Sequence, residues 1–251
     1  MTYAASAYDH KIDIGTSVRV AYSVVMENAR LAVELAWLPF AIVIVAEIVA
    51  MLLGGGGYIG RAFASLVHAA GFLVFGTTFY VRWARFVLLG ENQSAGLFPP
   101  GWQPCFWAGV KIGATLFVGF IVLGFVAVVP PHVLTVPLAF IGGVALAFAS
   151  ARVSLVFPAA AIERPMPLRE AWDLMAGNYW RLFACLFLCY LPFGIVHYLL
   201  GQIGTGLPWV LWFAFEVVGL AVTFAGMAVL ASLLSHLYRE FDRPVPAQHA
   251  A

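Results

Sequence analysis

The sequence predicts an all-α integral membrane protein: six transmembrane helices arranged as three hairpins, with amphipathic interfacial helices on the cytoplasmic side. Three observations carry this prediction. Of the 251 residues, 63% are hydrophobic and 10% are charged, where soluble domains run at roughly 45–50% and about 25%. Six apolar stretches approach the ~20 residues that a helix needs to cross a hydrocarbon layer ~30 Å thick. Twelve of the thirteen Lys and Arg residues fall on one side of those stretches, the bias of cytoplasmic loops. A soluble core of this size has no room for so much apolar surface. So apolar and aromatic a chain is not disordered. A net charge of +1 with no basic run argues against nucleic acid as a partner.

The spans read as residues 31–53, 62–81, 106–129, 133–150, 182–200 and 208–234. Glycines at 54–57, Pro130 with Pro131, and residues 201–207 make the short turns that pair them into hairpins. Lys11, Arg19, Arg30, Arg82, Arg85, Lys111, Arg152, Arg164, Arg169, Arg181, Arg239 and Arg243 then share one side, and Arg61 alone takes the other. Both termini are therefore expected in the cytoplasm. The first fifteen residues carry Asp9, Lys11 and Asp13 and lack the apolar core of a signal peptide. Cys105, Cys185 and Cys189 are an odd count, which is no disulfide framework. Cys185 and Cys189, one turn apart, read as small apolar fillers. Pro192 is expected to kink its span.

Two amphipathic segments precede spans. In the first, Val18, Ala21, Tyr22, Val25 and Ala29 form an apolar stripe, with Arg19, Ser23 and Arg30 facing away. In the second, Leu168, Ala171, Trp172, Met175 and Tyr179 form the stripe, opposite Arg169 and Asp173. An offset of 150 residues superimposes them and lays Asn28 over Asn178. Ala84-Arg85-Phe86, Ala151-Arg152-Val153 and Tyr238-Arg239-Glu240 close the second, fourth and sixth spans alike. The single membrane domain, 1–251, thus divides into three parallel units, 14–92, 96–164 and 165–242. Parallel repeats occur in transporters and in proteins that transport nothing.

The residues 151–159, Ala-Arg-Val-Ser-Leu-Val-Phe-Pro-Ala, then Glu163, Ala171-Trp172 and the run Gly177-Asn178-Tyr179-Trp180-Arg181 carry a resemblance. This stretch resembles the bacterial membrane-domain family found with glycerophosphoryl diester phosphodiesterases, which includes small six-span relatives of unassigned function. The close match covers about 30 residues, and Asp173 departs from it, standing where relatives more often carry a small hydroxyl residue. The resemblance implies a bacterial inner-membrane protein and carries no catalysis. The phosphodiesterase chemistry belongs to a barrel domain of about 250 residues, for which this chain has no room.

Ionisable residues inside a bilayer are costly and are the first place to look for function. Glu34 and Lys111 lie roughly 5 and 8 Å in from the cytoplasmic edge, close enough in depth to pair. Lys111 can equally snorkel to the interface. In the outer half, Glu47 and His197 lie about 24 and 22 Å up their spans, and His68 and Glu216 about 9 and 12 Å down theirs. These four form a candidate intramembrane polar cluster, whether a helix-orienting network, a proton or solute path, or a metal site. Their residue types suit zinc or iron, but no cofactor or metal is assigned. Glu216 shares a face with Gly219 and Thr223 and is expected to point into the bundle. His68 shares a stripe with Phe72, Phe75, Phe79 and Arg82, as packing residues do.

No nucleophile–base pattern, zinc-protease motif or phosphate loop is present, so the expected protein is not an enzyme. It is a non-catalytic envelope protein that engages lipids or a partner complex, or a second copy of itself, through its cytoplasmic-side helices. The contact residues are Arg19, Tyr22, Arg30, Arg169, Trp172, Tyr179 and Arg181, a basic and aromatic set suited to anionic headgroups. The competing expectation is a small permease or proton-coupled transporter that uses Glu47, His68, His197 and Glu216.

Overall fold

Helices account for every regular element among the described residues of the computed structural model: 11–53, 57–91, 96–128, 132–164, 166–204 and 208–241. Part of the glycine turn, Pro130, Pro131 and Arg243 lie outside them, as do the side chains of Arg61 and His132. The helices are α1 (Ile14–Glu27), α2 (Ala29–Leu53), α3 (Gly57–Leu89), α4 (Trp102–Val128), α5 (His132–Val153), α6 (Val156–Ala161), α7 (Leu168–Leu174), α8 (Tyr179–Gly204) and α9 (Trp209–Phe241). Six of them, α2 to α5, α8 and α9, are long and apolar enough to cross a membrane, as in a multi-pass membrane protein.

The axis of the molecule is α9. Just over half (56%) of its apolar stretch is buried, against 22% or less for any other span. It packs against α1, α2, α3, α6 and α8. Along the chain, α2 packs on α3, α4 on α5 and α8 on α9. The α4–α5 contact is close because a Cβ on Gly142 would strike Leu123 and one on Gly119 would strike Leu146. Large apolar side chains such as Trp37, Phe117 and Phe140 face outward. In water such surface marks a binding site or an aggregation hazard. In lipid it is the ordinary exterior.

Local chemistry explains the shorter elements. Asp13 caps α1: its carboxylate accepts from the Gly15 and Thr16 N–H groups at 3.0 and 3.3 Å and from the Thr16 hydroxyl at 2.7 Å. The hydroxyl bond is the main cause holding the Asp13 pKa below its ordinary value. The stripe of α1 does not face outward. Ile12 lies at the foot of α8, beside Asn178, and Tyr22 stacks on Phe193 further along it. Thus α1 runs alongside α8 and buries Ala21 completely.

The second amphipathic segment is shorter than its stripe predicts. Helix α7 ends at Leu174, Gly177 takes φ +82°, and Tyr179 is already the first residue of α8. Only glycine adopts that left-handed turn without strain. Two helices outrun the apolar stretches that announce them, α3 to Leu89 and α9 to Phe241. Helix α6 has no apolar period long enough to be foreseen. It wedges its buried Ala159, Ala160 and Ala161 among α3, α4 and α9. Gly101 (φ +80°) passes so close to the Ala161 carbonyl that any Cβ would collide with it. Helix α8 continues through Pro192.

Candidate functional site

Two groups of polar side chains stand at opposite ends of the bundle. At the first lie the C-terminal ends of α3, α5 and α9. The last carbonyls of a helix have no partner within it, and arginine, with five donors and a fixed charge, is suited to reach them. Arg85 of α3 donates to the Ala161 carbonyl of α6 at 3.1 Å and forms a two-bond fork with Glu91 at 2.8 and 2.9 Å. Arg152 of α5 donates to the Trp172 carbonyl at 2.9 Å and lies 3.7 Å over the Trp172 ring. Arg239 of α9 donates to the Val87 and Leu88 carbonyls of α3, the latter at 2.7 Å. Arg181 donates to the Ile12 carbonyl at 2.7 Å, while the Asn178 side chain accepts from the Ile12 N–H at 3.0 Å.

The expected lipid- or partner-contact residues therefore divide into two sets. Tyr22 donates its hydroxyl to the Cys189 carbonyl at 3.1 Å, and Arg181 is spent on Ile12, so both serve the fold. Burial pushes the Tyr22 phenol pKa up. Arg19 is exposed, and the side chains of Arg30 and Arg169 are 94% exposed, each facing a carboxylate one turn on: Glu34 at 2.9 Å and Asp173 at 4.0 Å. Trp172 and Tyr179 are partly exposed around Arg152. Glu34 and Lys111 do not pair, and Lys111 stands exposed on α4. The sequence places Arg181 among the expected contact residues and Arg85, Arg152 and Arg239 at matching span ends, without showing that they bridge helices. The spacing of Arg85 to Glu91 and the matching span ends were the available signal.

At the opposite end, a cavity of about 310 Å³ opens between α2, α3 and α9, lined by Glu47, His68 and Glu216 with Ser65 and Trp212. The Glu47 carboxylate and the His68 imidazole Nδ1 are in direct contact. Three of the four expected cluster residues thus converge. His197 does not join them: it reaches α9 from α8, against Gly219, where a Cβ would lie 3.2 Å from its Nδ1. Glu216 and Gly219, expected on one face, meet different neighbours. Among the described residues no group of three His, Cys, Asp or Glu side chains is placed to hold a metal ion. The arrangement is suited to exchanging a proton between carboxylate and imidazole. Comparison with known proteins found no matching family, no matching curated protein and no matching solved structure.

Proposed function

We propose that this chain is a non-catalytic protein of the bacterial inner membrane, with both termini in the cytoplasm, that engages lipids through its arginine-rich end. The observation that carries the reading is the division of labour among the arginines. Arg85, Arg152, Arg181 and Arg239 are bound to backbone carbonyls. Arg19, Arg30 and Arg169 stand exposed at the same end, with Trp172 and Tyr179 nearby. Exposed cations, at most paired with a carboxylate one turn on, at the end that carries these amphipathic rings suit an anionic headgroup layer. The resemblance to the phosphodiesterase-associated membrane domains supports the same reading. A partner complex or a second copy bound at this end is the protein-binding form of it.

The test replaces Arg19, Arg30 and Arg169 with Gln and leaves Arg181 in place to hold Ile12. Each basic side chain near an anionic surface contributes about 1 kcal/mol, less where a carboxylate faces it. The triple variant is expected to retain phosphatidylglycerol from mixed nanodiscs about tenfold less well. Unchanged retention, read by native mass spectrometry, overturns the lipid reading.

A second reading has one observation in its favour, the convergence of Glu47, His68 and Glu216 on one cavity. It is a proton-coupled permease, with Glu216, unpaired among the described residues, as the carboxylate that takes up the coupling proton.

A further inference from the structure

The other large cavity has the opposite chemistry. It is a groove of about 410 Å³ between α2 and α9, floored by the buried Phe79 and Phe224 and walled by Ala32, Ala36, Ala221 and Ala225. No charged side chain lines it. Its α2 wall runs from Ala29, the first residue of that helix, to Phe40, about 17 Å at 1.5 Å per residue. That is close to half of the ~30 Å hydrocarbon layer. The groove therefore belongs to one leaflet, on the side of the arginine-rich end.

Three occupants can be compared. Water needs two or more polar partners, and this lining is almost wholly apolar. A second helix about 10 Å across and 17 Å long takes up roughly 1,300 Å³, more than the whole empty space of about 900 Å³ between the walls. A hydrocarbon chain fits, being wholly apolar like the lining and much thinner than a helix. A charge stands where such a chain would have to end. Arg30, Val33 and Trp37 form one stripe of α2, at positions i, i+3 and i+7. Val33 and Trp37 are the exposed rim of the groove, and the Arg30 side chain is 94% exposed, held only by Glu34 at 2.9 Å.

We propose that the groove seats one acyl chain of a phospholipid from the cytoplasmic leaflet and that Arg30 takes its phosphate, giving up Glu34 to do so. The proposal rests on the lipid-engaging reading and narrows it to one site and one ligand class. It makes Glu34 a competitor of the ligand, which a purely structural ion pair is not.

The test uses the full chain in nanodiscs of phosphatidylglycerol and phosphatidylethanolamine doped with diacylglycerol of the same chains. Native mass spectrometry then counts the lipids that survive stripping. Wild type is expected to keep one phospholipid and no diacylglycerol. Ala225→Phe fills the groove from an exposed position and is expected to lose that one copy. Glu34→Gln, which leaves the packing alone, is expected to raise its retention about twofold, the equivalent of a surface ion pair. Retention of the same copy by Ala225→Phe, or weaker retention by Glu34→Gln, overturns the proposal. If Ala225→Phe changes the oligomeric state instead, the groove joins copies of the chain and the proposal also fails. Loss of lipid in the triple arginine variant but not in Ala225→Phe sinks the groove alone. No loss in either variant sinks the lipid reading with it.

Discussion

Asn178 shows how much one side chain at a helix junction decides. It is 1% exposed, its Oδ1 accepts from the Ile12 N–H, and its own carbonyl accepts from Leu182 at 2.9 Å to begin α8. Asn28, at the same place before α2, likewise accepts from Ala32 at 2.9 Å. Both asparagines open a span, but only Asn28 also closes the helix before it, since α7 has already ended at Leu174. Asn178 has the further task of holding the start of α1, where Ile12 is fully buried. In Asn178→Ala the Ile12 N–H is left without that acceptor, which costs about 1–3 kcal/mol. The expected result is faster hydrogen exchange along α1 while α8 and α9 keep their protection. Unchanged exchange at residues 12–22 would show that packing alone seats the helix.

At the scale of elements, the arginines that end three spans each reach into the next part of the chain. Arg85 of α3 bonds α6, Arg152 of α5 bonds the end of α7, and Arg239 of α9 returns to α3. In the three-unit reading these contacts run from the first unit to the second, the second to the third, and the third back to the first. Such a ring ties together span ends that the membrane itself does not join. Arg85 is the strongest test of it, because its side chain is only 10% exposed and its two-bond fork with Glu91 depends on the guanidinium shape. Arg85→Ala is expected to cost about 2–3 kcal/mol, most of it the unpaired acceptors left behind. Arg85→Lys, which keeps the charge, is expected to recover less than half of that. Thermal unfolding in detergent measures both, and full rescue by Lys would show that charge alone matters.

The spans were legible in the sequence because an apolar run of sufficient length reports a helix in lipid whatever it packs against. Their ends were less so. Hydropathy stops at Arg82, yet α3 continues to Leu89, since Arg82 and Arg85 are buried by neighbours that no local pattern reveals. Helix α6 and the break after α7 depend on six alanine-rich residues and on Gly177, signals too short to read. Depth along a span was also legible, and it placed Glu47, His68 and Glu216 together. Direction around a helix was not, so His197, at the same depth, was grouped with them although it stands against Gly219.

The two cavities, taken over the whole molecule, bear differently on the two proposed readings of function. Both lie between α2 and α9, the polar one at Glu47 and Glu216 and the apolar one from Ala29 to Phe40 and Ala221 to Ala228. On α9 only about 7–8 Å separates Glu216 from Ala221, but Val43 and Leu220 occupy that interval and are buried. A proton leaving Glu216 toward the arginine-rich end thus meets an apolar plug and then a groove without a charged side chain in its lining. An unsolvated charge in such a place costs several kcal/mol. Coupled transport needs a polar path through both halves, and these residues supply one half. Proteoliposomes carrying the wild type are therefore expected to show no proton flux above empty vesicles, and Glu216→Gln no change in lipid retention. A flux that disappears in Glu216→Gln would mean that α2 and α9 part to open the plug, and the permease reading would displace the lipid one.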